Sequence, residues 1–174
     1  MKLAAVTAAL ILVLDQVTKV IALDRLPPGA PVPVIDGVFS LTLVMNPGLA
    51  FGFLSATPSA WRWVVALLSL GALVVLAGVG LRLMSEGGWT ARLALGLIFG
   101  GAVGNLIDRA RFGAVVDFLD FYWRSYHWPA FNAADSAISV GVALLAVRLF
   151  FAPPASHAAV GRTGAGVSGL ERSE

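Results

Sequence analysis

Asp117 and Asp135 stand 18 positions apart in a stretch, residues 101–138, that is otherwise largely apolar, and they share it with Asn105, Asp108 and Asn132. Ionisable groups are expensive at membrane depth; where they occur they face a bundle interior and serve a purpose. Two carboxylates in one such site cannot both ionise readily, so their proton affinities split and one acts as base while the other stays protonated. That is machinery for peptide hydrolysis. The ionised member takes a proton from water as it attacks a carbonyl, and the protonated member donates to the developing oxyanion or the leaving amine. Asn and Arg donors nearby would hold a substrate backbone. The same polar groups would also suit a pathway for ions or small solutes, and spacing does not decide between the two.

The composition requires a membrane setting. Of 174 residues, 58% are hydrophobic and 13% charged, with a mean hydropathy of +0.85, whereas soluble domains carry about 25% charged residues. The formal net charge is only +2 and the basic residues are scattered, which gives no argument for nucleic-acid binding. Without cysteine there is no disulfide, thiolate metal site or cysteine nucleophile. His127 and His157 lie far apart and no HExxH occurs, so a zinc protease is not indicated.

The elements that must position the polar residues read as four transmembrane helices, an all-α integral membrane protein with a small extracytoplasmic β element between helices 1 and 2. The first span is predicted over residues 3–23, near the roughly 20 residues a crossing needs. Lys2 before a short apolar run mimics a signal peptide, but no small-residue cleavage site follows. Asp15 and Lys19 are four apart on one helix face in the favourable acidic-before-basic order. Residues 24–60 are rich in Pro and Gly, with a hairpin signal at Asp36-Gly37 and period-two alternation from Phe39 to Leu43. Asn46-Pro47-Gly48 reads as a turn, and Leu49 to Phe53 is apolar enough to dip into the interface. The second span, 61–84, has Trp61 and Trp63 as interfacial anchors, carries no buried charge and ends at Arg82.

The third span runs from about Ala91 to Asp108, with Gly96, Gly100 and Gly104 every fourth residue, a ladder that lets another helix approach closely. In the loop from Arg109 to Pro129, VVDFLDFYW reads as a short extended segment and Asp120 is assigned to the loop surface. The fourth span covers about Phe131 to Phe151. Residues 1–154 form a single membrane-embedded domain; 155–174 are too small and polar to fold and read as a disordered tail. The positive-inside count is nearly balanced and leans toward both termini inside.

Depth is the informative quantity. At about 1.5 Å per residue, Asp15 lies roughly 20 Å from the inner end of helix 1 and Asn105 roughly 21 Å from the start of the parallel helix 3. Asp135 is roughly 6 Å below the outer end of helix 4, some 24 Å from the inner face of a core about 30 Å thick. Polar groups from three helices meet in one layer, with Asp117 in the loop above it.

The blocks DQVTK (Asp15–Lys19), NPGLAFG (Asn46–Gly52), GNLIDR (Gly104–Arg109), VVDF (Val115–Phe118) and FNAADS (Phe131–Ser136) resemble, in order and spacing, those of the lipoprotein signal peptidase (signal peptidase II) family. The resemblance covers nearly the whole chain. It implies a four-helix aspartic endopeptidase of the bacterial cytoplasmic membrane, with its active site near the outer face. The implied reaction removes the signal peptide of diacylglyceryl-modified prolipoproteins on the amino side of the lipidated cysteine. The family's catalytic aspartates fall on Asp117 and Asp135; Asp15, Lys19, Asn46, Gly48, Asn105, Asp108, Arg109 and Asn132 would shape the site and hold substrate. No cofactor or metal is implied; the expected partners are lipidated prolipoproteins and membrane lipid, with the enzyme monomeric. A GxGD protease is disfavoured because that motif is absent, and a transporter should show internal repeats that are not found.

Overall fold

The computed structural model describes residues 1–48, 64–72, 74, 75, 78 and 88–151. Helix α1 spans Lys2–Arg25, a helical segment α2 covers residues 64–72, and α3 spans Gly88–Phe112. Helix α4 spans Ala133–Phe151. The strands are β1 (Val32–Ile35), β2 (Phe39–Asn46), β3 (Val115–Trp123) and β4 (Tyr126–His127). Trp61, Trp63, Arg82, the Leu49–Phe53 segment and the tail 155–174 lie outside the described residues.

Helix α1 is an inside-out amphipath. Its buried residues are Asp15, Lys19 and Ala22, while Leu10, Leu14, Val17 and Ile21 are each more than half exposed. In water that arrangement would cost apolar hydration along the whole helix; in hydrocarbon it leaves the apolar face solvated and hides the charges. Among the described residues, α1 and α3 are both long and apolar enough to cross a membrane, with mean hydropathies of 1.9 and 1.5.

The glycine ladder packs α3 on α1. A Cβ at Gly96 would meet Thr7 Cβ at 2.6 Å, one at Gly100 the Ala8 carbonyl at 2.6 Å, and one at Gly104 the Asp15 carboxylate. Gly101 and Gly141 perform the same service between α3 and α4. Only hydrogen in place of a side chain lets the backbones come this close, and that closeness brings Asp15 and Asn105 into one layer.

The fold is not all-α. The strands form one antiparallel sheet in the order β1-β2-β3-β4, and the β element is not confined to the segment between the first two helices. The hairpin at Asp36-Gly37 forms as expected, with Gly37 at φ 79°, but β2 pairs on its other edge with β3, from the loop after α3. VVDFLDFYW is extended, as its composition predicts, but it is a full strand of the sheet paired with β2 and not a segment of a free loop. Between Leu41 and Val44 the pairing slips by one residue, so β2 carries an extra residue opposite β3. Beyond the slip, Asn46 pairs with Val115 and Val44 with Asp117, placing the end of β2 beside the VVDF block. Phe131 then hydrogen-bonds back to Leu119 in both directions, at 2.8 and 3.1 Å, which fixes the entry to α4 against β3.

Candidate active site

The first turn of α4 explains why FNAADS takes its form. Asn132 caps the helix: its Oδ1 accepts from Asp135 N at 2.9 Å and its backbone carbonyl from Ser136 N at 3.2 Å. With the carbonyl oxygen of the amide committed to the cap, its nitrogen faces the other way and donates to Asp117 Oδ1 at 2.7 Å. The cap thus ties Asp135, three residues into α4, to Asp117 on β3.

Asn46 repeats the device. Gly48 N donates to Asn46 Oδ1 at 3.0 Å, closing the Asn-Pro-Gly turn, so Asn46 Nδ2 donates to Asp117 Oδ2 at 2.9 Å. Asn105 makes a third case: Lys19 Nζ donates to its Oδ1 at 2.8 Å and its Nδ2 donates to Asp135 Oδ1 at 2.8 Å. In each amide the oxygen is held by an obligate donor, leaving the nitrogen for a carboxylate. Both oxygens of Asp117, and Oδ1 of Asp135, accept from neutral amides.

Asp117 is buried to 1% exposure. Burial, and after it the charge of Asp135, push its pKa from an ordinary 3.8 up to about 7, against the opposing pull of the Asn46 and Asn132 amides and of Lys19. A carboxyl with that affinity exchanges its proton near neutrality. Asp135 is part-exposed and, with Asn46, Asn105 and Arg109, lines the polar end of a cavity of about 490 Å³. Arg109 reaches it from α3, donating from Nη2 to Gly48 O at 2.9 Å and from Nη1 to Asn105 O at 3.3 Å. Its Nε is buried and has no hydrogen-bond partner among the described residues.

Asp15 and Asp108 do a different job. Lys19 Nζ lies 2.8 Å from an oxygen of each. Asp15 Oδ1 accepts from Ala134 N at 3.0 Å, and Asp108 Oδ2 from Val116 N at 3.1 Å. These bonds join α1 to α4 and α3 to β3, and the residues they hold are the immediate neighbours of Asp135 and Asp117. Every site residue expected from the sequence therefore falls in one connected network, which divides into a cavity side and a supporting side.

Two features were not anticipated. Gln16 spans the supporting cluster, donating to Asp15 Oδ2 and Asp108 Oδ1 at 3.2 Å each; it stands next to Asp15 in the DQVTK block, but nothing in its type marks it. Asp120 is not on the loop surface. At 6% exposure it accepts from Ser40 Oγ at 3.1 Å and lies 2.9 Å from His127 Nδ1, linking β2, β3 and β4 away from the cavity. Among the described residues no group of three His, Cys, Asp or Glu side chains is placed to hold a metal ion.

A lipid-facing helix set with this buried polar layer defines an integral membrane protein, and two solved bacterial membrane enzymes share the fold. One, determined by the in meso method at 2.3 Å, superposes with a TM-score of 0.69 at 31% identity over 86% of this chain and 88% of that one. The other, at 1.9 Å, gives 0.69 at 28% identity over 88% and 96%. The family model described as signal peptidase (SPase) II matches residues 7–151, and the chain belongs to that family. Its relatives include the lipoprotein signal peptidase of Geobacter sulfurreducens, 54% identical over 138 residues, covering 79% of this chain and 85% of the relative. That of Nitratidesulfovibrio vulgaris is 45% identical over 146 residues, 84% and 88% of the two chains. Membership decides between the protease and the solute pathway that the polar layer alone left open.

Proposed function

We propose that this protein is an aspartic endopeptidase whose catalytic pair is Asp117 and Asp135. As a member of the signal peptidase II family it cleaves the signal peptide from prolipoproteins. The observation that supports the aspartic mechanism is that these two carboxylates of the polar layer receive neutral amides and, among the described residues, no direct cation contact, and Asp135 faces a cavity. One carries the proton that the other lacks. Water held between them loses a proton to the ionised carboxylate as it attacks the scissile carbonyl, and the protonated carboxyl delivers its proton to the leaving amine. The free Nε–H of Arg109 offers a donor to a substrate carbonyl, while the amides of Asn105 and Asn46 hold the carboxylates still.

In this reading four helices cross the bacterial cytoplasmic membrane with both termini inside, and the sheet lies at the outer surface. The diacylglyceryl-cysteine sits at the outer interface with its acyl chains in lipid. Residues 1–154 act as one monomeric domain, and 155–174 contribute nothing to the chemistry. Purified enzyme incubated with a lipidated and an unlipidated prolipoprotein tests the reading: a mature-size product is expected from the lipidated form. No product from the lipidated form, or equal cleavage of both, overturns it.

A further inference from the structure

The cavity lining is of two kinds: Asn46, Asn105, Arg109 and Asp135 are polar, whereas Leu68 and Ala72 from α2, Ala102 from α3, Val115 from β3 and Ile138 from α4 are apolar, and Ser69 of α2 turns its hydroxyl back to the Val65 carbonyl at 2.8 Å. Ala102 precedes Asn105 by three residues and Ile138 follows Asp135 by three. Because α3 and α4 run in opposite directions, both side chains sit about 4.5 Å, just under one helical turn, to the same side of the Asn105–Asp135 hydrogen bond. Behind this level the wall cannot retreat. A Cβ at Gly101 would lie 2.5 Å from the Ala134 carbonyl oxygen and 2.9 Å from Ile138 Cγ1, so α3 and α4 already touch there. On the cavity side Ala102 is only partly buried, and its methyl is the α3 wall one step from Asn105.

We propose, resting on the peptidase reading above, that this apolar floor receives the side chain immediately on the amino side of the scissile bond, and that Ala102 sets the largest side chain accepted there. The scissile carbonyl must lie against Asp135 at the polar end. The signal segment, the apolar part of the substrate, continues from that point toward the N-terminal end of α3, which is the direction of the floor. The first side chain on that path meets Ala102 and Ile138 from one side and Ala72 from the other. A methyl group is the narrowest wall short of glycine, so adding or removing carbon at this position changes the usable width directly. One methylene in an apolar pocket discriminates by about 10- to 200-fold.

The experiment measures kcat/KM for lipidated prolipoprotein peptides differing only at that residue (Gly, Ala, Val, Leu) with wild type, Ala102→Val and Ala102→Gly. Ala102→Val should lower the Ala-to-Gly substrate ratio about tenfold or more, and Ala102→Gly should raise the Leu-to-Ala ratio by a similar factor. Ratios between substrates are independent of how much enzyme is folded, and opposite shifts from the two variants do not follow from damage to the helix. If both variants scale all four substrates by one factor, Ala102 does not set the limit and the peptidase reading stands alone. If the wild type cleaves none of them, the peptidase reading fails and this inference fails with it.

Discussion

Four aspartates occupy one polar layer, and they form two pairs held by different chemistry. Asp15 and Asp108 share the Lys19 ammonium at 2.8 Å and accept backbone N–H groups from the residues beside the candidate dyad. Asp117 and Asp135 receive asparagine amides instead. A cation in contact with a carboxylate occupies and orients its oxygens, which suits the group to serve as a strut. Amides orient a carboxylate while leaving its proton affinity open to burial and to its twin, and burial with the Asp135 charge brings Asp117 to about 7. The same residue type thus serves architecture or chemistry according to what faces it.

The largest effect should come from the amide-held pair. Asp117→Asn and Asp135→Asn are each expected to lower cleavage by about 10²–10⁴-fold, and the double variant to be little worse than either single one, as for two groups acting in one step. Stability should move the other way for Asp117. Its raised pKa means the carboxyl stabilises the fold at pH values below its unfolded value of 3.8, and that contribution is lost as pH rises through about 7. At pH 8, Asp117→Asn should therefore be at least as thermostable as wild type. Multiplying losses, or near-normal turnover in either single variant, would dissolve the pair.

The cation-held pair should fail differently. Lys19→Met leaves two carboxylates facing each other in a site where both are almost fully buried, and removing one partner of a buried ion pair costs about 3–5 kcal/mol. The expected result is a lower Tm in detergent, partly restored by adding Asp15→Asn. A Lys19→Met protein with unchanged Tm and no activity would place Lys19 with the chemistry and erase the division between the pairs.

The sequence made the helical part of this layer legible because helical rise is fixed. Counting from the span ends put Asp15, Asn105 and Asp135 at one depth, and the glycine ladder named the face that lets them meet. Strand residues gave less. Whether Asp120 is buried depends on Ser40 and His127, contributed by strands 80 positions before it and 7 after it, and on a one-residue slip opposite Leu41–Val44 that no local pattern shows. The sheet was underestimated for the same reason: VVDFLDFYW is recognisably extended, but its partner strand lies on the far side of two helices in the sequence. Gln16 escaped because a long amide on α1 acquires its role only when α3 presents Asp108 to it.

The smallest effect sharpens the comparison most finely, since it alters one hydrogen bond of the dyad and leaves both carboxylates in place. A dyad that works with one shared proton, as proposed for Asp117 and Asp135, loses it as pH rises past the higher of its two affinities, so the alkaline limb of the kcat/KM profile should fall near the Asp117 value of about 7. Asn46 Nδ2 donates to Asp117 Oδ2 and so favours the ionised form. Asn46→Leu removes that donor; the affinity of Asp117 for its proton then rises, and the limb should move to higher pH by about one unit, the equivalent of one charge-assisted hydrogen bond. The variant also loses the Asn46–Gly48 bond that seats the Arg109 acceptor, so the maximum rate should drop along with the shift. A limb that stays in place while the rate drops would mean that the titrating group is not Asp117, and one that moves to lower pH would mean that Asn46 supports the protonated carboxyl. In either case, being held by amides without a cation would no longer be what sets this pair apart from the one held by Lys19.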